Sequence, residues 1–116
     1  METAEDDYQA MNNLHRAGHN VWALFIGYLV IEKLMKVLYM RKYLKEAPRI
    51  HDLERLAELI QIEIDEKQSR ELATLTLFNI RARYPDYKHN LHKLATKSFT
   101  AEHIKIIEKW RKRLLQ

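Results

Sequence analysis

The stretch VWALFIGYLVI, Val21 to Ile31, decides how the chain folds. Its 11 residues are apolar on nearly every side, and Glu32 and Lys33 follow at once. A membrane span needs about 20 such residues, so the run reads as a helix buried inside a protein. A helix apolar all round must be covered by neighbours on more than one side. In a small domain that is met by the central helix of a bundle, or by one that also meets a second subunit. Gly27 sits in the middle of it, where glycine costs about 1 kcal/mol relative to alanine. A close helix–helix approach would justify that cost.

Working outward, the central helix is expected from an Asn20 cap to about Tyr43, with Lys36, Arg41 and Lys42 among its later polar residues. Before it, Thr3-Ala4-Glu5-Asp6 has the shape of a capping box with acids in the first turn. Tyr8, Met11 and Leu14 then repeat at helical spacing, and Gly18 is a natural stop. Beyond Pro48, Asp52 is placed to cap a short helix through about Ile60, with Leu53, Leu56, Leu59 and Ile60 inward. A further helix is expected from about Asp65 to Arg83, with Leu72, Leu75 and Phe78 inward, ending at Tyr84 because Pro85 disfavours helix there. After an ambiguous stretch, Thr100 is expected to cap a last helix whose Ile104, Ile107, Trp110 and Leu114 share one face. The fold class is therefore all-α, an up-and-down bundle of four to five helices. One domain spans residues 1–116, with any disordered tail confined to residues 1–4.

Composition narrows the chemistry. The 116 residues include no cysteine, which excludes disulfides and thiolate metal sites. Two glycines leave little material for a Gly-rich phosphate loop. The acidic start METAEDDYQAMNN lacks the features of a signal peptide, so a cytoplasmic protein without a membrane segment is expected. Charge is lopsided. Residues 1–80 carry 10 Lys/Arg against 13 Asp/Glu, a net of −3, and residues 81–116 carry 10 against 3, a net of +7. Such a field favours a polyanion or an acidic protein face.

The densest chemistry lies in IRARYPDYKHN, Ile80 to Asn90. Arginines near a helix C-terminus suit its dipole, and Tyr-Pro is an exit signal. Neither explains why two tyrosines and Asp86 follow. Arg81, Arg83, Tyr84 and Tyr87 would stack a base and grip a phosphate, with Asp86 orienting an arginine.

Three fragments in order, HNVWALFIGYLVIEKLMKVLYMRK, RIHDLERLAEL and FNIRARYPDYK, resemble the HEPN domains of bacteria and archaea. The resemblance runs from about residue 8 to about residue 114. It implies a helical bundle that forms a symmetric homodimer, and frequent pairing with a minimal nucleotidyltransferase as a toxin–antitoxin module. Many members are metal-independent ribonucleases with an R-x(4–6)-H motif. Here five residues separate Arg83 from His89, which fits that spacing. The histidine would move protons at the ribose 2′-oxygen, and the arginine would hold the phosphoryl oxygens. The surroundings depart from the nuclease pattern, which has a small polar residue after the arginine and often a tyrosine two positions after the histidine. Tyr84 and Leu91 occupy those places. ARYPDY thus resembles a signature of a distinct, non-nuclease branch.

His51-Asp52 matches an HDL element of the family, and His51 joins the expected nucleotide- or partner-binding set of Arg81, Arg83, Tyr84, Asp86 and Tyr87. His15 and His19 stand four apart like metal ligands, but Gly18 falls between them, and no metal or cofactor is expected. Trp22 and Trp110 lie on apolar faces and read as core. Three readings stay open: a HEPN module binding a nucleotide or a partner nucleotidyltransferase, an RNA-cleaving toxin, and an adaptor whose basic last helix docks on an acidic protein.

Overall fold

The computed structural model describes residues 3–116, and among these six helices and no strand occur. They are α1 (Ala4–Arg16), α2 (Asn20–Tyr43), α3 (Leu53–Leu59), α4 (Glu66–Arg83), α5 (Pro85–Leu94) and α6 (Lys97–Leu114). The class is all-α, and the count exceeds the four to five expected from sequence. No helix of the described residues is long and apolar enough to cross a membrane.

α2 is the centre. All five other helices pack against it, and Val21, Ala23, Leu24, Tyr28, Val30, Ile31 and Met35 are buried. The close approach inferred at Gly27 is present. A Cβ built there would run into Ile107 Cδ1 and lie 3.0 Å from Met11 Sδ, so α1 and α6 both press on the missing side chain. Across α2, these two helices also reach each other. The Tyr8 hydroxyl donates to Glu108 Oε2 at 3.1 Å, and the Arg111 guanidinium lies 4.0 Å over the Tyr8 ring while binding Glu5 at 2.6 Å. On the remaining side, Phe78 of α4 meets Phe99 and His103 of α6 edge-on. Trp110 Nε1 donates to Glu71 Oε1 at 3.2 Å.

Several boundaries follow the residues that set them. The Thr3 capping box closes α1, and Gly18 leaves it with a φ of +83°. Thr3 is thus the cap of α1 and Ala4 its first residue. Met1 and Glu2 lie outside the described residues. Asp52 caps α3 and Asp65 caps α4.

Other expectations need correction. α2 begins after His19 without a side-chain cap, and Asn20 is its first residue. The Asn20 amide instead donates 3.0 Å to the Ala95 carbonyl, one of the oxygens left free at the end of α5. The ambiguous stretch after Tyr84 is helical because Pro85 takes the first helical position, where a fixed φ helps and a missing N–H is harmless. Leu91, fully buried, anchors that helix. α6 starts four residues earlier than expected. Thr96 accepts from Phe99 N as its cap, and Thr100 is buried within the first turns. Trp110 is core as expected, whereas Trp22 is 42% exposed.

Gly27→Ala sets a gain in helix propensity of about 1 kcal/mol against overpacking of about 1–3 kcal/mol. Ile107 is fully enclosed, so the net effect is expected to be destabilising. Adding Ile107→Val removes the opposing Cδ1, and the double variant should lose less stability than the sum of the singles. Urea denaturation of the four proteins reads this directly. Strict additivity would show that α6 moves aside freely.

Candidate functional site

α4 and α5 meet at Tyr84, which is extended (φ −107°, ψ 127°) between two helices. The break turns the dense stretch outward. Tyr84 and Tyr87 are 57% and 53% exposed, with ring centroids 6.3 Å apart and planes at 84°. Arg83 and His89, the pair that fits the nuclease spacing, are both exposed on either side of the break. Asp86 is exposed in the first turn of α5, where the dipole favours it, and no ion pair joins it to an arginine among the described residues. Arg81 is half-buried and stands apart from Arg83, since two steps of about 100° carry it round to the other side of α4.

The structure adds residues that the stretch alone does not contain. The start of α2 runs beside the junction. The Lys88 ammonium sits 4.3 Å over the Trp22 ring, and the Arg83 guanidinium 5.6 Å over Phe25. Trp22 and Phe25 meet edge-on at 6.1 Å. Two cations therefore rest on two aromatic faces, beside two further exposed rings. This is the apparatus for stacking a flat group and neutralising an anion.

Along the same side of α2 lies a second cluster. Glu32 is 7% exposed, a carboxylate inside the apolar helix. One oxygen receives Lys36 Nζ at 2.8 Å, and the other lies 3.3 Å from His51 Nδ1. The Tyr28 hydroxyl donates to the His51 carbonyl at 2.7 Å and also interacts with Glu32. Burial pushes the Glu32 carboxyl up, but the Lys36 and His51 donors, the adjacent Tyr28 hydroxyl and the Lys36 charge outweigh it and hold the group below its ordinary value. Burial and the neighbouring Glu32 raise the Tyr28 phenol, while the charge of Arg83 acts the other way. Arg83 thus belongs electrostatically to both clusters. The His51 side chain is 56% exposed.

The family model of the HEPN domain matches residues 1–115. The chain belongs to the HEPN domain family. No curated protein and no solved structure matches it. In this HEPN domain, then, the helix break presents Arg83, Tyr84, Asp86, Tyr87 and His89, while Trp22, Phe25, Lys88 and the Glu32–His51 pair complete the surface around them. Sequence reasoning missed Glu32 although one signal was there: a carboxylate one turn after Tyr28 and one turn before Lys36 in an apolar run. For the Trp22–Lys88 contact no local signal exists.

Because the Glu32 carboxyl titrates lower in the folded chain than its ordinary value of 4.5, its ionised form adds stability above that pH. The addition is lost as pH falls through the folded value. Glu32→Gln should therefore lower stability at pH 7 by about 1–3 kcal/mol. The gap from the parent protein should narrow as pH falls below 4.5. Urea midpoints across that range test it, and a gap independent of pH would show that packing alone accounts for the loss.

Proposed function

We propose that this HEPN domain is the partner half of a nucleotidyltransferase–HEPN module, of the toxin–antitoxin kind, and binds a nucleotide at the α4–α5 junction. The observation that carries the reading is the pairing of exposed rings with cations: Tyr84 and Tyr87 beside Arg83 over Phe25 and Lys88 over Trp22. A base stacks on the exposed Tyr84 or Tyr87 ring without hydrogen-bond readout, and Arg83 meets a phosphate with two parallel donors. The nucleotidyltransferase partner follows from the family resemblance, and the net +7 of residues 81–116 supports an anionic ligand or an acidic partner face.

The domain acts as a homodimer in this reading. Leu77 and Ile80 of α4 are 41% and 42% exposed, and Trp22 of α2 equally so, which leaves apolar surface for a second copy. A two-fold axis near the junction brings the same patch of each copy together and sums the basic charge of both. Such an interface should bury at least ~1,000 Å² in total. Light scattering at micromolar concentration should give twice the 14.0 kDa of one chain. A monomer mass would defeat the dimer.

Calorimetry with AMP and ATP tests the ligand. Binding is expected, with Arg83→Ala weakening it by about tenfold or more and Tyr87→Ala by roughly five- to tenfold. No heat with either nucleotide would remove the nucleotide reading. Cleavage of RNA in the presence of EDTA, abolished by His89→Ala, would replace it with a ribonuclease that uses Arg83 and His89.

A further inference from the structure

The Glu32–His51 pair lies outside the helix junction, and nothing in the bundle requires it. His51 could pack as a neutral surface residue without a buried carboxylate behind it. Instead Glu32 meets His51 Nδ1 at 3.3 Å, Tyr28 fixes the His51 backbone at 2.7 Å, and Lys36 balances the carboxylate at 2.8 Å. A carboxylate on Nδ1 assigns the hydrogen to that nitrogen and leaves Nε2 to face outward. The imidazole is exposed enough to meet a ligand, whereas Glu32 is not.

The two clusters are in line. Phe25, under Arg83, and Glu32, behind His51, are seven residues apart on α2, which is about 10 Å along the axis and two turns on one face. Arg83 lies near enough to Tyr28 for its charge to be felt there. The surface therefore runs from aromatic rings at Trp22 and Phe25, past the Arg83 guanidinium, to His51 and Lys36. Rings, then one cation, then two more donors describe the order of groups in a nucleoside polyphosphate: base, first phosphate, terminal phosphates.

Resting on the nucleotide reading above, we infer that the outer phosphates of a nucleoside di- or triphosphate bind at His51 and Lys36, with Glu32 positioning the imidazole. Protonated His51 donates Nε2–H to a phosphate oxygen in a charge-assisted hydrogen bond. Glu32 holds the ring from behind. Around it, Glu32 meets Nδ1, Tyr28 holds its carbonyl, Lys36 pairs with that same Glu32, and the Arg83 charge from α4 reaches Tyr28. The adjacent Asp52 carboxylate is occupied by the Glu54 and Arg55 amides.

The experiment is calorimetry with AMP and ATP in metal-free buffer containing EDTA, at pH 6 and pH 8, on the full chain and on His51→Ala. His51 is exposed, so the variant should fold, which circular dichroism checks. Titration of the phosphates themselves cancels when the two proteins are compared at each pH. The parent protein should favour ATP over AMP at pH 6, and His51→Ala should lower ATP affinity there by about tenfold, to the level of AMP. Glu32→Gln should reduce the preference for ATP at pH 6 in the same direction. An ATP-to-AMP ratio identical in the parent and in His51→Ala overturns the inference and leaves the junction reading standing. Absence of binding by AMP and ATP alike overturns both.

Discussion

One helix constrains everything else. α2 presents apolar side chains almost all the way round in its first half, so it is stable only when surrounded. Gly27 sets how closely it is surrounded, because α1 and α6 approach the space a side chain would fill. From that contact follow the other positions. α1 and α6 are held near enough to exchange the Tyr8–Glu108 and Glu5–Arg111 contacts, which leaves α3, α4 and α5 to cover the rest of α2. Trp22 stays 42% exposed at the start of α2, where only the side chains of Lys88 and Arg83 reach across to the Trp22 and Phe25 rings.

The same helix explains why the polar cluster has the form it does. A carboxylate in an apolar helix is tolerated only with its oxygens satisfied. Glu32 therefore recruits Lys36 from one turn on and His51 from the loop before α3. Tyr28, one turn back, ties that loop down through the His51 carbonyl. The loop between α2 and α3 is thus held by a buried charge rather than by packing alone. Chemistry at this surface and stability of this loop share the same atoms.

Fold class was readable because its signals are local: the Thr3 box, the Asp52 cap, the Tyr84-Pro85 exit and the period of Ile104, Ile107, Trp110 and Leu114. Misreadings arose where a residue has two competent uses. Thr96 and Thr100 both suit a cap; Thr96 is the one that accepts from Phe99 N, and Thr100 is buried inside the helix. Asn20 suits a cap equally, but the free Ala95 carbonyl takes its amide. Pro85 both ends one helix and begins another. At the candidate site, density of chemistry pointed to Arg83, Tyr84 and Tyr87. Their companions Trp22, Lys88 and Glu32 come from distant segments, and such pairings leave no pattern in sequence. Trp22 looked like core because its neighbours along α2 are core.

The meeting of α1 and α6 on either side of Gly27 has a bearing on how the chain folds. Met11 and Ile107, nearly the whole chain apart, must converge on the same spot of α2. Closing so long a loop is entropically slow compared with forming any single helix. During synthesis α1 and α2 emerge first, and the α6 side of α2 remains bare until the last helix is made. An early α1–α2 hairpin is thus a sticky species, and the time to complete α6 sets how long it is exposed to misassociation.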